Sequence, residues 1–340
     1  MKFKKDQFKT ILEGLKPGLA QKNLADNLAN FSFSGKRVYT YNDQIFISHV
    51  LETDFQCSVS GDKFYSIVAN SPGDELDITL SNNEMIIKGA KSKAKMTLAT
   101  GDPDLDKIQV PYEEKGWATL PEGFTEGLEL CCLSLSRDLT KPAFTCVAIN
   151  DSDLLSTDRV RISRYLMGGS FSDKKFLIPG TSAKVLTKYP IIEYLKGNGW
   201  IHFRTGGQAV ISSRLFNDTF PDVNAFFELK GKEIALPKRL KEMVDSVSSI
   251  IESKFEADKF LSVLISGKEK TITCSGQGDT NSFVRFESLE AGIQEDLSFD
   301  INPVFLSKIL DSDTSMIVGE SKALFLKDNF EHVVSLSNKK

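Results

Sequence analysis

Few residues in this chain have both the type and the spacing for covalent or acid–base chemistry. His49, His202 and His332 are its three histidines, the side chains best suited to proton transfer near neutrality. His202 falls in the alternating run Trp200-Ile-His-Phe-Arg, which puts it at an outward or boundary position of a strand. Cys57, Cys131, Cys132, Cys146 and Cys274 form no paired C-x-x-C set. Neither a zinc site nor a disulfide framework is therefore expected, and the five read as free thiols in a reducing cytoplasm. No serine or cysteine stands in a nucleophile-elbow pattern, and no glycine-rich phosphate loop leads into a helix. Gly168-Gly169 and Gly206-Gly207 read as turns. Asp151 and Asp153 share a turn that matches neither glycosidase nor nuclease motifs. No catalytic residue, metal or cofactor is expected, although an enzyme can assemble scattered carboxylates without a local signature.

The charged chemistry that remains is that of lysine with phosphate. The chain carries 42 Lys and Arg against 46 Asp and Glu, a net charge of −4. A simple duplex binder is usually basic overall. Phosphate responds to the local field, however, so the placement of the lysines decides more than their total. No apolar run is long enough to span a bilayer and no signal segment opens the chain, which points to a cytoplasmic protein.

The elements that must position these charges repeat. At 340 residues the chain has room for two or three domains. A series of helix, polar turn, strand, turn and strand recurs with a period of about 120 residues. It runs through Lys63-Phe-Tyr-Ser-Ile-Val, the Ser71-Pro-Gly-Asp turn and Leu76–Leu80; through Lys184-Val-Leu-Thr, Ile191–Leu195, Trp200–Arg204 and Ala209–Ile211; and through Val304–Leu310, Met316-Ile-Val, Ala323–Leu326 and Val333-Val-Ser-Leu. Each repeat also opens on a helix. Phe8, Ile11, Leu12 and Leu15 occupy one helical face ended by Pro17-Gly18, and Leu240, Val244, Val247 and Ile251 do the same after Pro237. Phe124 to Leu135 supplies the middle one. Gln44–Ser48 and Ala143–Ile149 read as strands. The fold class is α+β: three repeated domains at 1–117, 118–229 and 230–340, each with two helices packed on antiparallel sheet.

Several segments resemble the DNA polymerase III beta subunit family, the bacterial and phage sliding clamps. The opening Met1-Lys-Phe before an amphipathic helix is similar to the family's start. Thr157-Asp-Arg-Val-Arg-Ile162 resembles its T-D-G-H-R-L segment, and Ser212-Ser-Arg-Leu-Phe-Asn-Asp-Thr-Phe-Pro-Asp222 its S-K-L-x-x-G-x-F-P-D segment. Phe299-Asp-Ile-Asn-Pro-Val-Phe-Leu306 resembles its F-N-x-x-Y-L-L segment. The resemblance spans essentially the whole chain in order.

It implies a non-enzymatic processivity factor. Two copies join head to tail into a ring, helices line a hole that holds duplex DNA, and sheets form the outer wall. The DNA-facing positions would be Lys5, Lys9, Lys16, Lys22, Lys63, Arg137, Lys141, Lys184, Lys188, Lys238, Lys241 and Lys308. Lys5, Lys9 and Lys16 fall within about 40° on one helix, and flexible lysines without a base-reading motif suit sequence-neutral sliding. Acids such as Asp74, Glu75, Glu84, Asp153 and Glu331 would sit mainly on the outer wall. A pocket for short peptides of the polymerase and the clamp loader would use Thr157, Val160, Arg161, Ile162, Phe260, Phe305, Val333 and Leu336. The ring joint would use Ile108, Val110, Ile250 and Ile251. The chain departs from the family in Arg159-Val160, where Gly-His is usual, and in its Ser335-Leu-Ser-Asn-Lys-Lys340 ending, which implies an altered peptide preference. Two other classes stay open: a protein–protein scaffold of the same repeats that never encircles DNA, and an enzyme with a dispersed carboxylate site.

Overall fold

A computed structural model describes residues 1–20, 28–100, 110–112, 115–231, 233–237, 239–251, 259–278, 280–288, 296–310 and 314–336. Lys22, Lys238 and Ile108 lie outside the described residues.

One order of elements runs three times along the chain. The first pass is β1 (Lys2–Lys4), α1 (Lys5–Leu15), β2 (Asn30–Ser34), β3 (Arg37–Tyr41), β4 (Ile45–Val50), β5 (Gln56–Ser60), α2 (Gly61–Asn70), β6 (Glu75–Ser81), β7 (Glu84–Gly89) and β8 (Ser92–Thr97). The second is β9 (Ala118–Thr119), α3 (Phe124–Cys131), β10 (Cys146–Asn150), β11 (Asp153–Thr157), β12 (Arg161–Leu166), β13 (Lys175–Pro179), α4 (Gly180–Leu186), β14 (Ile191–Lys196), β15 (Trp200–Thr205) and β16 (Ala209–Arg214). The third is β17 (Glu233–Ala235), α5 (Leu240–Ser248), β18 (Leu261–Ser266), β19 (Thr271–Gln277), β20 (Ser282–Ser288), β21 (Leu297–Ile301), α6 (Pro303–Ile309), β22 (Ser315–Val318), β23 (Lys322–Lys327) and β24 (Phe330–Ser335).

Contacts gather these elements into two compact units, 1–121 with 176–217 and 122–175 with 218–340. In the first unit a sheet of order β5-β2-β3-β4-β16-β15-β14-β9 joins strands of the first and second passes, and β1-β6-β7-β8 form a separate four-stranded sheet. In the second unit β10-β11-β12-β24-β23-β22-β17 run side by side, and β20-β19-β18-β21 form a four-stranded sheet. The pairing throughout is antiparallel.

Alternation decides which face is buried. Phe8, Leu12 and Leu15 of α1 and Phe64 and Val68 of α2 are buried against the first-unit sheets, with Phe8 stacking on Phe3 and meeting Phe64 edge-on. In the second unit Leu240, Val244 and Val247 of α5 and Leu306 of α6 share a core with Val263, Ile272, Phe325 and Val334. Burying such side chains contributes about 1.5–3 kcal/mol each. Asn302 caps α6 by accepting from Val304 and Phe305, and Pro303 follows at the first position, where its missing N–H costs nothing.

Three expectations are corrected. The middle repeat's first helix ends at Cys131 and tightens into a 3-10 turn over Cys132–Ser134, because Ser136 N–H is drawn to the Phe144 carbonyl. Ala143–Thr145 is not strand: Pro142 opens a 3-10 turn there and the strand begins at Cys146. His202 is not at a boundary position. It is buried, its Nδ1 lies 2.8 Å from Ser212 Oγ, and burial pushes its pKa down to about 4.

Candidate functional site

The helical lysines divide into two groups. Lys63 on α2, Lys184 on α4, Lys188 just after α4 and Lys308 in the last turn of α6 are exposed. Others are engaged by their own fold. Lys5 Nζ donates to the Ser71 carbonyl at 2.8 Å, and Lys241 Nζ reaches Asp245 at 3.1 Å and Ser307 at 3.2 Å, tying α5 to α6. Lys9 lies 3.6 Å from Glu13, and Lys16 sits 4.2 Å over the Tyr65 ring. The Tyr65 hydroxyl donates to Glu13, and this bond is the main cause holding the Glu13 carboxyl below its usual range. Arg137 and Lys141 are exposed but lie beyond the end of α3, in a loop pinned by Asp138, which accepts from Thr140 N and Oγ1. The five acids assigned to the outer wall are on strands or turns rather than helices. Glu75 alternates with the buried Leu76 and Ile78, and Glu331 with the buried Val334.

The segment Thr157–Ile162 is a rigid turn built by its own side chains. Asp158 Oδ1 accepts from Val160 N at 3.0 Å and Arg161 N at 2.7 Å, while Oδ2 receives Arg161 Nε at 3.0 Å and Nη2 at 2.8 Å. Thr157 Oγ1 donates to the Arg161 carbonyl at 2.7 Å and accepts from Arg159 N at 3.0 Å. Arg159 takes φ +76°, a left-handed conformation that costs a side-chain-bearing residue about 1 kcal/mol or more. The Arg161 guanidinium lies 3.6 Å over the Phe305 ring, so a strand of the second pass and a helix of the third meet through one cation–π contact. Ser335 N donates to the Val160 carbonyl and anchors the end of β24 beside the turn.

Of the residues assigned to the peptide pocket, Thr157, Val160, Arg161, Phe305 and the β24 end come together here. Phe260 immediately precedes β18, whose Leu261 pairs with Ile301 just ahead of α6. Val160 and Phe260 are 48% and 44% exposed and are the available apolar anchors. Ile162 and Val333 pair across β12 and β24 and are buried, as is Arg161 apart from a 9% edge. Leu336 packs partly on the core of the second unit. Beneath the turn lies a chain that sequence reading missed: Ser134 Oγ to Ser163 Oγ at 2.9 Å, and Ser163 Oγ to His332 Nδ1 at 2.8 Å. Burial and the nearby Arg161 charge push the His332 pKa down to about 3. Asp158 also escaped selection, although a Thr-Asp pair ahead of Arg is a legible Asx-turn signal.

The ring-joint residues fare differently. Ile251 is 5% exposed and belongs to the core under α5, where it fills the space beside Gly276. Val110 packs on Tyr39, Phe46 and Trp200 of its own unit. Ile251 is thus spent in the core of its own unit, while Val110 and Ile250 are each only partly buried.

No family model matches the chain. It is 25% identical to the beta sliding clamp of Rickettsia felis over 333 residues, covering 88% of this chain and 86% of that protein. The beta sliding clamp of Rickettsia bellii is 22% identical over the same shares. Among solved structures, the DNA polymerase sliding clamp of Bacillus subtilis superposes with a TM-score of 0.80 at 16% identity, covering 100% of this chain and 99% of that one. The sliding clamp of Bartonella birtlesii bound to griselimycin gives 0.82 at 16% identity and the same coverage. The beta subunit of Streptococcus pyogenes gives 0.82 at 14%, covering 99% of each chain. The chain has the sliding-clamp fold, and the likeness noted in its motifs extends over its length.

Proposed function

We propose that this chain is a DNA polymerase processivity clamp. Two copies close head to tail around duplex DNA and hold polymerase and loader through the turn at Arg161. In this reading the three passes of elements are the three domains, 1–117, 118–229 and 230–340. The protein works in the cytoplasm, catalyses nothing itself, and contacts DNA without reading sequence.

The observation that carries the reading is the pair of joints within the chain. In one, β4 pairs with β16; in the other, β12 pairs with β24. Each joins the third sheet strand after a first helix to the third strand after the next repeat's second helix. Among the described residues, the two strands that hold these places with only one neighbour are β20 and β8, edges of the two four-stranded sheets. An unpaired edge is a template for another chain, and closing β20 of one copy on β8 of the next repeats the internal joint. A head-to-tail contact of this kind made twice gives a closed ring.

The register follows. Phe46 faces Ser212 and Ile162 faces Val333. Phe46 and Ile162 each close the preceding hairpin, as Ser282 does on β20. Ser212 and Val333 each stand three residues into their strand, as Lys95 does on β8. Ser282 would then face Lys95, Phe283 face Ala94, and Val284 face Lys93. Phe283, 40% exposed, would be covered on the helix side near Ile250.

The test is a paired substitution, Lys93→Cys with Val284→Cys, in a Cys57→Ser, Cys132→Ser background. Opposed Cα atoms of antiparallel strands lie about 4.5–5.5 Å apart, within disulfide reach. Oxidation should link two chains, while Ser92→Cys with Val284→Cys should not. A wild-type chain that sediments only as a monomer at micromolar concentration would refute the ring.

A further inference from the structure

We infer that the outward face of the β18–β20 sheet, at Leu264, Val284 and Phe286, docks an extended acidic segment of a partner protein that bears apolar or aromatic side chains. This rests on the ring closure proposed above, since the patch borders the closing edge.

The three side chains share a face. Leu264 pairs with Thr273 and Thr273 with Phe286; Ser262 pairs with Ser275 and Ser275 with Val284. Leu261, Val263 and Ile265 point the other way, into the core. Leu264, Val284 and Phe286 are 49%, 55% and 74% exposed, among the most exposed large apolar residues described. Exposed apolar side chains grouped on one face mark interaction sites more often than scattered ones.

The equivalent face at each internal joint is covered. In the first unit Val110 packs on Tyr39, Phe46 and Trp200, Arg37 lies 4.2 Å from the Tyr112 ring and Arg204 lies 4.6 Å from that of Trp117. In the second unit Arg164 lies 4.0 Å over Phe227, and Lys322 donates to the Phe226 carbonyl at 3.0 Å. Both covers are short connecting segments that bring aromatic rings against arginines of the paired strands. Arg164 and Val284 occupy matching positions, two residues beyond the hairpin-closing pair. On β20 the matching outward positions, Val284 and Phe286, are exposed.

Charge selects the occupant. Lys268 and Lys270, with Glu269 between them, are exposed in the turn that follows Leu264. Lys91, in the turn before β8, and Lys93 of β8 are exposed, and the proposed register brings Lys93 beside Val284. Apolar residues rimmed by lysine suit a segment of alternating acids and aromatics. The chain's own residues 218–230 have this character, with Asp218, Asp222, Glu228, Phe220, Phe226 and Phe227.

A fluorescein-labelled peptide of that 218–230 sequence is the probe. Its anisotropy is titrated with the full chain while sedimentation velocity reads the assembly. Saturable binding that falls at least tenfold in Leu264→Glu, and clearly in Leu264→Ser, with the dimer intact in both, supports docking. Equal binding to wild type and Leu264→Glu, or no binding to wild type, overturns it. Dissociation of the dimer by Leu264→Ser also overturns it, by assigning the patch to the second copy. A wild-type chain that never dimerises removes the ring reading itself, which the sedimentation arm reports separately.

Discussion

Replacing Arg161 by alanine tests whether the turn is held as the structure draws it. Two contacts vanish: the fork onto Asp158 Oδ2 at 2.8 and 3.0 Å, and the stack 3.6 Å over Phe305. Breaking a buried pair by removing one partner costs about 3–5 kcal/mol. The Asp158 side chain is 18% exposed and keeps two backbone donors on its other oxygen, so water relieves part of that loss. A desolvated cation–π contact adds up to about 2 kcal/mol, which places the total near about 3 kcal/mol. In a unit of this size that lowers its unfolding temperature by about 6–12 °C. Urea denaturation of Arg161→Ala, Asp158→Asn and the double variant isolates the pair, with an expected coupling of about 1.5 kcal/mol. Arg161→Lys should recover less than half the loss, because an ammonium cannot fork or stack as guanidinium does. A loss below about 0.5 kcal/mol for Arg161→Ala would show that the guanidinium floats free and that the turn is not built around it.

Other outcomes follow from the same geometry. Ile250→Asp with Phe283→Asp should give monomers by light scattering, since burying two carboxylates costs several kcal/mol; an unchanged mass would remove the helix side of β20 from the joint. Changing the exposed Lys63, Lys184, Lys188 and Lys308 to serine should reduce the salt slope of the unloaded chain's direct binding to linear duplex by up to about 4, near 0.9 per lost phosphate contact. An unchanged slope would show that these lysines face bulk water. His202 and His332 have folded pKa values pushed down to about 4 and about 3, below the unfolded value of about 6.5. Below that value the unfolded chain binds more protons, so stability is full above about pH 6.5 and is lost as pH falls towards about 3. At pH 5.5 each histidine should cost about 1.4 kcal/mol, and His332→Gln should flatten the decline seen in urea midpoints between pH 7.5 and 5.5. Equal slopes would show that His332 reaches solvent.

The sequence carried the repeat because local signals agreed with the fold. Pro17-Gly18 stops α1, Asn302-Pro303 starts α6, and period-two alternation marks β6. It failed where long-range partners override local pattern. The Phe124–Leu135 run is apolar nearly all round, which hides its helix end; the chain turns off where Ser136 N bonds the Phe144 carbonyl. His202 alternates like a surface residue but meets Ser212 on the neighbouring strand. Lys5 and Lys241 lie on helices as expected, yet each is tied to an adjacent element, which spacing along one helix does not encode. Ile251 continues the buried stripe of α5, and that stripe was itself the sign that it belongs to the core. The proposed pairing of β20 with β8 has no signal in the sequence, because its register is argued from the internal joints rather than from composition.

Retention on closed circular duplex, compared with the same DNA linearised, tests the central claim most directly. The chain is loaded by its cognate loader, separated from free protein by gel filtration, and the DNA is then cut once. A topological ring stays on circles through a high-salt wash and runs off the cut ends. Equal, salt-sensitive binding to circles and linear DNA, with loading confirmed on both, would contradict the account and favour a scaffold that touches DNA only through its surface charge.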